Sequence, residues 1–134
     1  MTVGGRLFAV GGRDGDRELT TRVDVYDPEL DAWRAGPALP APTSAAAMGV
    51  VDGRIHVVDG EDPATFTGGV LDEHWVLAPD EEIWEQGPPS RLAVHGAADG
   101  VIGDRLHIVG GATRQGALSV LSWTDQVQVL DPGE

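Results

Sequence analysis

The chain contains no cysteine. Disulfides, thiolate nucleophiles and zinc–thiolate sites are therefore excluded, and the redox compartment stays open. Positive charge is scarce: nine Lys and Arg residues stand against 22 Asp and Glu, a formal net charge of -13. Such a chain repels nucleic acid and anionic membrane surfaces at long range, so neither is expected as a partner. No apolar run approaches the ~20 residues of a membrane-spanning helix. The opening Met1-Thr2-Val3-Gly4-Gly5-Arg6 has no basic region followed by an apolar one, so no secretory leader is read there and the cytoplasm is the default expectation. Aromatic residues make up only 5% of the chain.

Signatures of chemistry are missing as well. No Ser-His-Asp order carries a nucleophile elbow. Gly4-Gly5 and Gly11-Gly12 do not form a phosphate loop, because no helix follows to receive the phosphate. The segment Arg13-Asp14-Gly15-Asp16-Arg17-Glu18 has an Asp-x-Asp element but lacks the later ligands of a calcium loop, so a solvated turn is expected. Glu61-Asp62-Pro63 reads the same way. No metal and no cofactor are expected.

What the chain does have is glycine, 19 residues, and a recurrence. Arg54-Ile55-His56-Val57-Val58-Asp59-Gly60 aligns with Arg105-Leu106-His107-Ile108-Val109-Gly110-Gly111, 51 positions on. An earlier copy, Arg6-Leu7-Phe8-Ala9-Val10-Gly11-Gly12, lies 48 positions before the middle one. Periods of 20–50 residues mark repeat architectures. Within each period the segments read as short strands. Small-residue runs at 44–51 and 94–102 lead to tight turns at Asp52-Gly53 and Gly103-Asp104. Apolar runs at 54–58 and 105–109 follow. After a polar loop come Val23-Asp24-Val25-Tyr26-Asp27-Pro28, Trp75-Val76-Leu77-Ala78-Pro79 and Val127-Gln128-Val129-Leu130-Asp131-Pro132, the alternation of half-buried strands stopped by proline. Trp33 and Trp84 each stand five residues beyond that proline. A helix finds no place: Gly96 and Gly100 interrupt the copy of the Ala45–Ala47 stretch.

The order of apolar strand, turn, strand ending Gly-Gly, loop, Val-x-Val-Tyr-Asp-Pro and Trp resembles the kelch repeat, and in particular bacterial kelch proteins with galactose-oxidase-like propellers. Gly11-Gly12, Tyr26-Asp27-Pro28 and Trp33 match its signature; Asp59, Leu77-Ala78 and Leu130 depart from it. The resemblance implies an all-β fold of kelch-type β-propeller blades. About three four-stranded antiparallel meanders are expected, at about 1–40, 41–90 and 91–134 within a single domain of 1–134. The frame also reads as incomplete at both ends, with three, four and three strands, half of a six-bladed propeller. Sheets with open apolar faces associate. Self-association is therefore expected, with a homodimer closing the ring.

Connections alternate between the two ends of a blade. The variable ones, 13–21, 60–70, 111–123, 37–43 and 88–93, share one end, where binding residues are expected. Arg13, Arg91, His95 and Arg114 are the candidate ligand-binding residues there, with His95 placed at the mouth of the central channel. His56 and His107 hold equivalent strand positions and read as structural. Copper radical oxidases share this propeller, but their cross-linked cysteine–tyrosine pair needs a cysteine. The expectation is a non-catalytic binding module for a protein or a small carbohydrate. The alternative is a part of a carbohydrate-acting kelch enzyme, such as a sialic acid mutarotase.

Overall fold

A computed structural model of the chain describes residues 1–62 and 70–131. Part of the expected 60–70 loop, including Pro63, and residues 132–134, including Pro132, lie outside the described residues.

Among the described residues eleven strands form three antiparallel sheets, each a meander in chain order. The first holds β1 (Thr2–Val3), β2 (Arg6–Val10), β3 (Val23–Asp27) and β4 (Ala32–Ala35). The second holds β5 (Ala47–Val51), β6 (Arg54–Val58), β7 (His74–Leu77) and β8 (Glu85–Gln86). The third holds β9 (Ala98–Ile102), β10 (Arg105–Val109) and β11 (Val127–Leu130), with β11 at its edge. The sheets are stacked antiparallel meanders, the arrangement of β-propeller blades. Two details correct the sequence reading. The first sheet has four strands rather than three, because Thr2 and Val3 pair with Leu7 and Arg6 as soon as the Gly4-Gly5 turn lets the chain fold back. A short 3-10 helix, Gly116–Leu121, occupies the loop before β11. None of its residues is buried, so it leaves no apolar stripe in the sequence.

The hairpin between β5 and β6 shows how local sequence sets the meander. Asp52 and Gly53 both take positive φ, 49° and 72°, the two-residue turn whose twist matches its strands. The turn then fixes Gly49 opposite His56 and Val51 opposite Arg54.

Alternation along β6 sends side chains to two different cores. Ile55 and Val57 join Leu77 and Trp84 against Phe8, Val23, Val25 and Leu39 of the first sheet. Val58, with Ala47 and Val51, packs on Val94, Leu106, Ile108 and Leu130 of the third. The middle sheet is thus covered on both faces, and Ile55 and Val58 are both 0% exposed. Each such side chain contributes about 1.5–3 kcal/mol by burial. Gly49 is small for a reason: a Cβ there would meet the side chains of Leu106 and Val101 at 2.8 Å. Close stacking also lets the backbones bond across sheets, as Gly12 N–H does to the Thr43 carbonyl at 2.9 Å and Gly96 N–H to the Ala45 carbonyl at 2.9 Å.

Gly60 marks the tightest of these crossings. Its φ is +112°, and a Cβ would overlap the Thr43 hydroxyl and approach the Ser44 carbonyl to 2.8 Å. Gly5, also at positive φ, has open space around it. Gly60→Ala is therefore expected to cost about 3 kcal/mol or more, and Gly5→Ala only about 1 kcal/mol, the backbone term alone. Urea denaturation of both variants measures the difference; equal costs would refute the close-crossing account.

Candidate functional site

The β2–β3 and β10–β11 connections and the described part of the β6–β7 connection gather at one end of the stacked sheets, with the β4–β5 and β8–β9 crossings beside them. Here one carboxylate ties three sheets together. Glu61 accepts from Arg13 Nη2 at 2.8 Å through Oε1, while its Oε2 lies 3.5 Å from His95 Nδ1. The other His95 nitrogen, Nε2, donates to the Arg114 carbonyl at 2.9 Å. Asp62 N–H donates to Oε1 of the buried Gln115 at 3.2 Å, adding a second tie between the same sheets. Asp14 accepts from Asp16 N–H and Glu18 N–H, each at 3.0 Å, which makes the Asp-x-Asp element a self-bonded turn.

Of the four residues expected to bind ligand, three converge and one does not. Arg13, His95 and the backbone of Arg114 meet around Glu61. Arg91 sits apart, beside a cleft of about 160 Å³ that Gln128 and Leu130 also line. Glu61 escaped the sequence reading because it looked like part of a surface turn; its partners come from loops 48 and 34 positions away. Among the described residues no group of three His, Asp or Glu side chains is placed to hold a metal ion.

A larger feature lies at the opposite, short-turn end. A cavity of about 500 Å³ opens between the second and third sheets. His56 and His74 form part of its wall, and both are almost fully buried. The Pro88 carbonyl lies 2.7 Å from His74 Nδ1, so that nitrogen carries the proton. His74 Nε2 is then a lone pair, and it accepts from His56 Nδ1–H at 2.9 Å. His56 Nε2 is left as an acceptor with no hydrogen-bond partner. Burial, and then the neighbouring His74, hold His56 down to about 4 from the ordinary 6.5; the Val51 carbonyl works the other way. Burial lowers His74 also, opposed by its bond to Pro88. Both rings are neutral near pH 7.

Asp59 is the second buried ionisable group. It stands where the repeat has its first glycine and keeps a glycine-like φ of 59°. Its carboxylate accepts from Ser90 Oγ at 2.9 Å and from Val94 N–H at 3.2 Å, pinning the β8–β9 crossing. Burial pushes its pKa up to about 6, against those two hydrogen bonds.

With fold and site described, the class is a stack of β-propeller blades. A kelch-motif family model matches residues 1–40. Human Kelch-like protein 34 is 34% identical over 96 residues, covering 70% of this chain and 15% of that protein. Alpha-scruin of Limulus polyphemus is 28% identical over 132 residues, covering 95% of this chain and 14% of that one. The solved structure of YjhT superposes with a TM-score of 0.80 at 17% identity, covering all of this chain and 47% of YjhT, a likeness of fold alone. The chain belongs to the kelch-repeat family. It spans about 15% of the length of these two curated relatives.

The two buried groups pull stability in opposite directions with pH. His56 is lowered in the folded state, so its contribution is present above pH 6.5 and is lost as pH falls toward 4. Asp59 is raised, so its contribution is present below pH 3.8 and is lost as pH rises through about 6. Asp59→Asn keeps an acceptor and a residue tolerant of positive φ, and removes the second effect. This variant is expected to lose more stability than the parent between pH 7 and pH 4.5 in urea titrations. Identical losses would contradict the burial of Asp59.

Proposed function

We propose that this chain is a non-catalytic interaction module whose outer blade faces associate with a second copy. The reading rests on one observation: both open faces repeat the chemistry of faces that are buried inside the chain. In the second sheet Leu77 and Trp84 pack against the first sheet, with Trp84 6% exposed and its indole N–H donating to the Pro37 carbonyl at 2.9 Å. Their counterparts in the first sheet, Tyr26 and Trp33, stack on each other at 5.2 Å, and Trp33 is 56% exposed. In the first sheet Phe8, Val23 and Val25 receive that indole. Their counterparts in the third sheet are His107, Val127 and Val129, and the two valines are 59% and 48% exposed.

Each open face is thus one half of an interface whose other half the same chain carries. Trp33 of one copy against Val127 and Val129 of another reproduces the internal contact. Two such interfaces close a ring. The long-loop end then forms one continuous surface for a protein or small ligand. Arg91 and Arg114, both exposed, offer it cations, while Arg13 and His95 are held by Glu61.

Light scattering at micromolar concentration tests the association. The parent chain is expected at twice the chain mass, and Trp33→Ala at the single mass, because truncating a buried interfacial tryptophan removes a dominant anchor. A single mass for the parent would refute the reading.

A further inference from the structure

Glu61 stands at the centre of the long-loop end with a different kind of cation on each side. The repeat frame shows how this came about. Arg13 and Glu61 hold the same place, directly after the paired glycine position, and Ala112 holds it in the third copy. At the junction of the first and second sheets Glu61 therefore meets its own repeat equivalent, Arg13, at 2.8 Å through Oε1. At the junction of the second and third sheets Ala112 offers no charge. His95 takes that part, with Nδ1 3.5 Å from Glu61 Oε2. His95 in turn holds the place of Ser44. The backbone is repeated here, since Ser44 bridges to Glu61 as His95 bridges to Ala112. The side chains have diverged.

The two ties differ in kind. A guanidinium is always charged, so the Arg13 tie is permanent. An imidazole changes charge between about pH 5 and pH 8. His95 Nε2 donates to the Arg114 carbonyl at 2.9 Å, which puts the proton of the neutral ring on Nε2. Nδ1 of that neutral ring is a lone pair facing a carboxylate, so two acceptors stand opposed. Only the imidazolium satisfies both neighbours, with Nε2–H on Arg114 and Nδ1–H on Glu61. Solvent reaches all three groups: the side chains of Arg13, Glu61 and His95 are 35%, 17% and 11% exposed.

Other charged groups surround the ring. Asp62 follows Glu61 on the β6–β7 connection, and its N–H is held by Gln115. Arg114 belongs to the β10–β11 connection and Arg91 to the connection that carries His95; both are exposed. Asp59 accepts from Val94 N–H, one residue before His95, at 3.2 Å.

We propose that His95 is a proton-operated latch on the long-loop end. Protonated, it fastens the β8–β9 and β10–β11 connections to Glu61 and, through Glu61, to Arg13 of the first sheet. Neutral, it keeps its bond to Arg114 and lets the tie to the second sheet go. The tie exists only with the added proton, so it is present in acid and lost as pH rises. Where the long-loop end serves as the interaction surface, its shape responds to pH. That consequence rests on the proposed function; the latch itself does not.

Hydrogen exchange of single amides tests the latch. Gly96 N–H bonds the Ala45 carbonyl across the second and third sheets at 2.9 Å, beside the switchable tie. Gly12 N–H bonds the Thr43 carbonyl across the first and second sheets at 2.9 Å, beside the permanent one, and is the internal control. With rates corrected for intrinsic chemistry, protection of Gly96 relative to Gly12 is expected to be several-fold higher at about pH 5.5 than at about pH 8. His95→Gln is expected to remove this difference. Glu61→Gln keeps an acceptor for Arg13 and gives the neutral ring a donor, so it is expected to protect Gly96 at the higher pH and cancel or reverse the difference. Asp59→Asn and Trp33→Ala are expected to keep it, which separates the latch from the Asp59 carboxylate and from self-association. Equal protection of Gly96 at both pH values in the parent would overturn the proposal. So would a response that survives in His95→Gln or Glu61→Gln, or one that Asp59→Asn alone removes.

Discussion

A short β-sheet has two faces, and neither is buried by the sheet itself. That constraint governs this chain. Each meander carries apolar side chains on both sides, so it is stable only when another sheet lies against it. The middle sheet has a neighbour on each side, and its central strand β6 is buried over Ile55–Val58. The outer sheets each have one neighbour. Their open faces carry Tyr26 and Trp33 on one, and Val109, Val127 and Val129 on the other. Stacking also explains the glycines at the crossings. Gly49 and Gly60 stand where side chains or backbone of the adjoining segments come within van der Waals distance.

Polar groups inside such a stack need partners, and here they find them across elements. His56 and His74 bond each other from neighbouring strands and reach the Pro88 carbonyl at the edge of the sheet. Asp59 reaches Ser90 and Val94 on the connection to the next sheet. At the long-loop end, Glu61 does the same between three sheets. These contacts do not supply the bulk of the stability, which comes from the two apolar layers. They fix how one sheet is set against the next. An imidazole pair that is one donor short, and a carboxylate whose pKa burial raises to about 6, are also the groups most open to change with pH.

Much of the scaffold could be read from the sequence because repetition supplies several independent markers. Strands at 54–58 and 105–109 fell where the repeated Arg-to-Gly block placed them. The alternation of ends placed the loops of Arg13, His95 and Arg114 at one end, where Arg13 and His95 contact Glu61 and His95 bonds the Arg114 carbonyl. What stayed hidden depends on contacts between copies of the repeat rather than on the repeat itself. The two-residue strand β1 is too short to show alternation. The 3-10 helix at Gly116–Leu121 has no buried side to leave a pattern. Glu61 and Gln115 look like loop residues until the loops are brought together. Asp59 did carry a signal: an aspartate in a glycine position, able to adopt the same φ, implies a use for its side chain.

The proposed fit of the two open faces, like that of the two internal interfaces, brings residues of two copies within reach of each other. The absence of cysteine permits a direct measurement. An Ala35→Cys chain, which keeps Trp33 and adds a thiol on the same exposed face of β4, is mixed with a Val129→Cys chain under mild oxidation, and covalent dimers are separated by mass. Fast cross-linking of this pair is expected, and slow cross-linking when cysteine is placed instead at Asp52, on the short-turn end, with Val129→Cys. Equal rates for the two pairs, or no cross-linked dimer from the first, would contradict it.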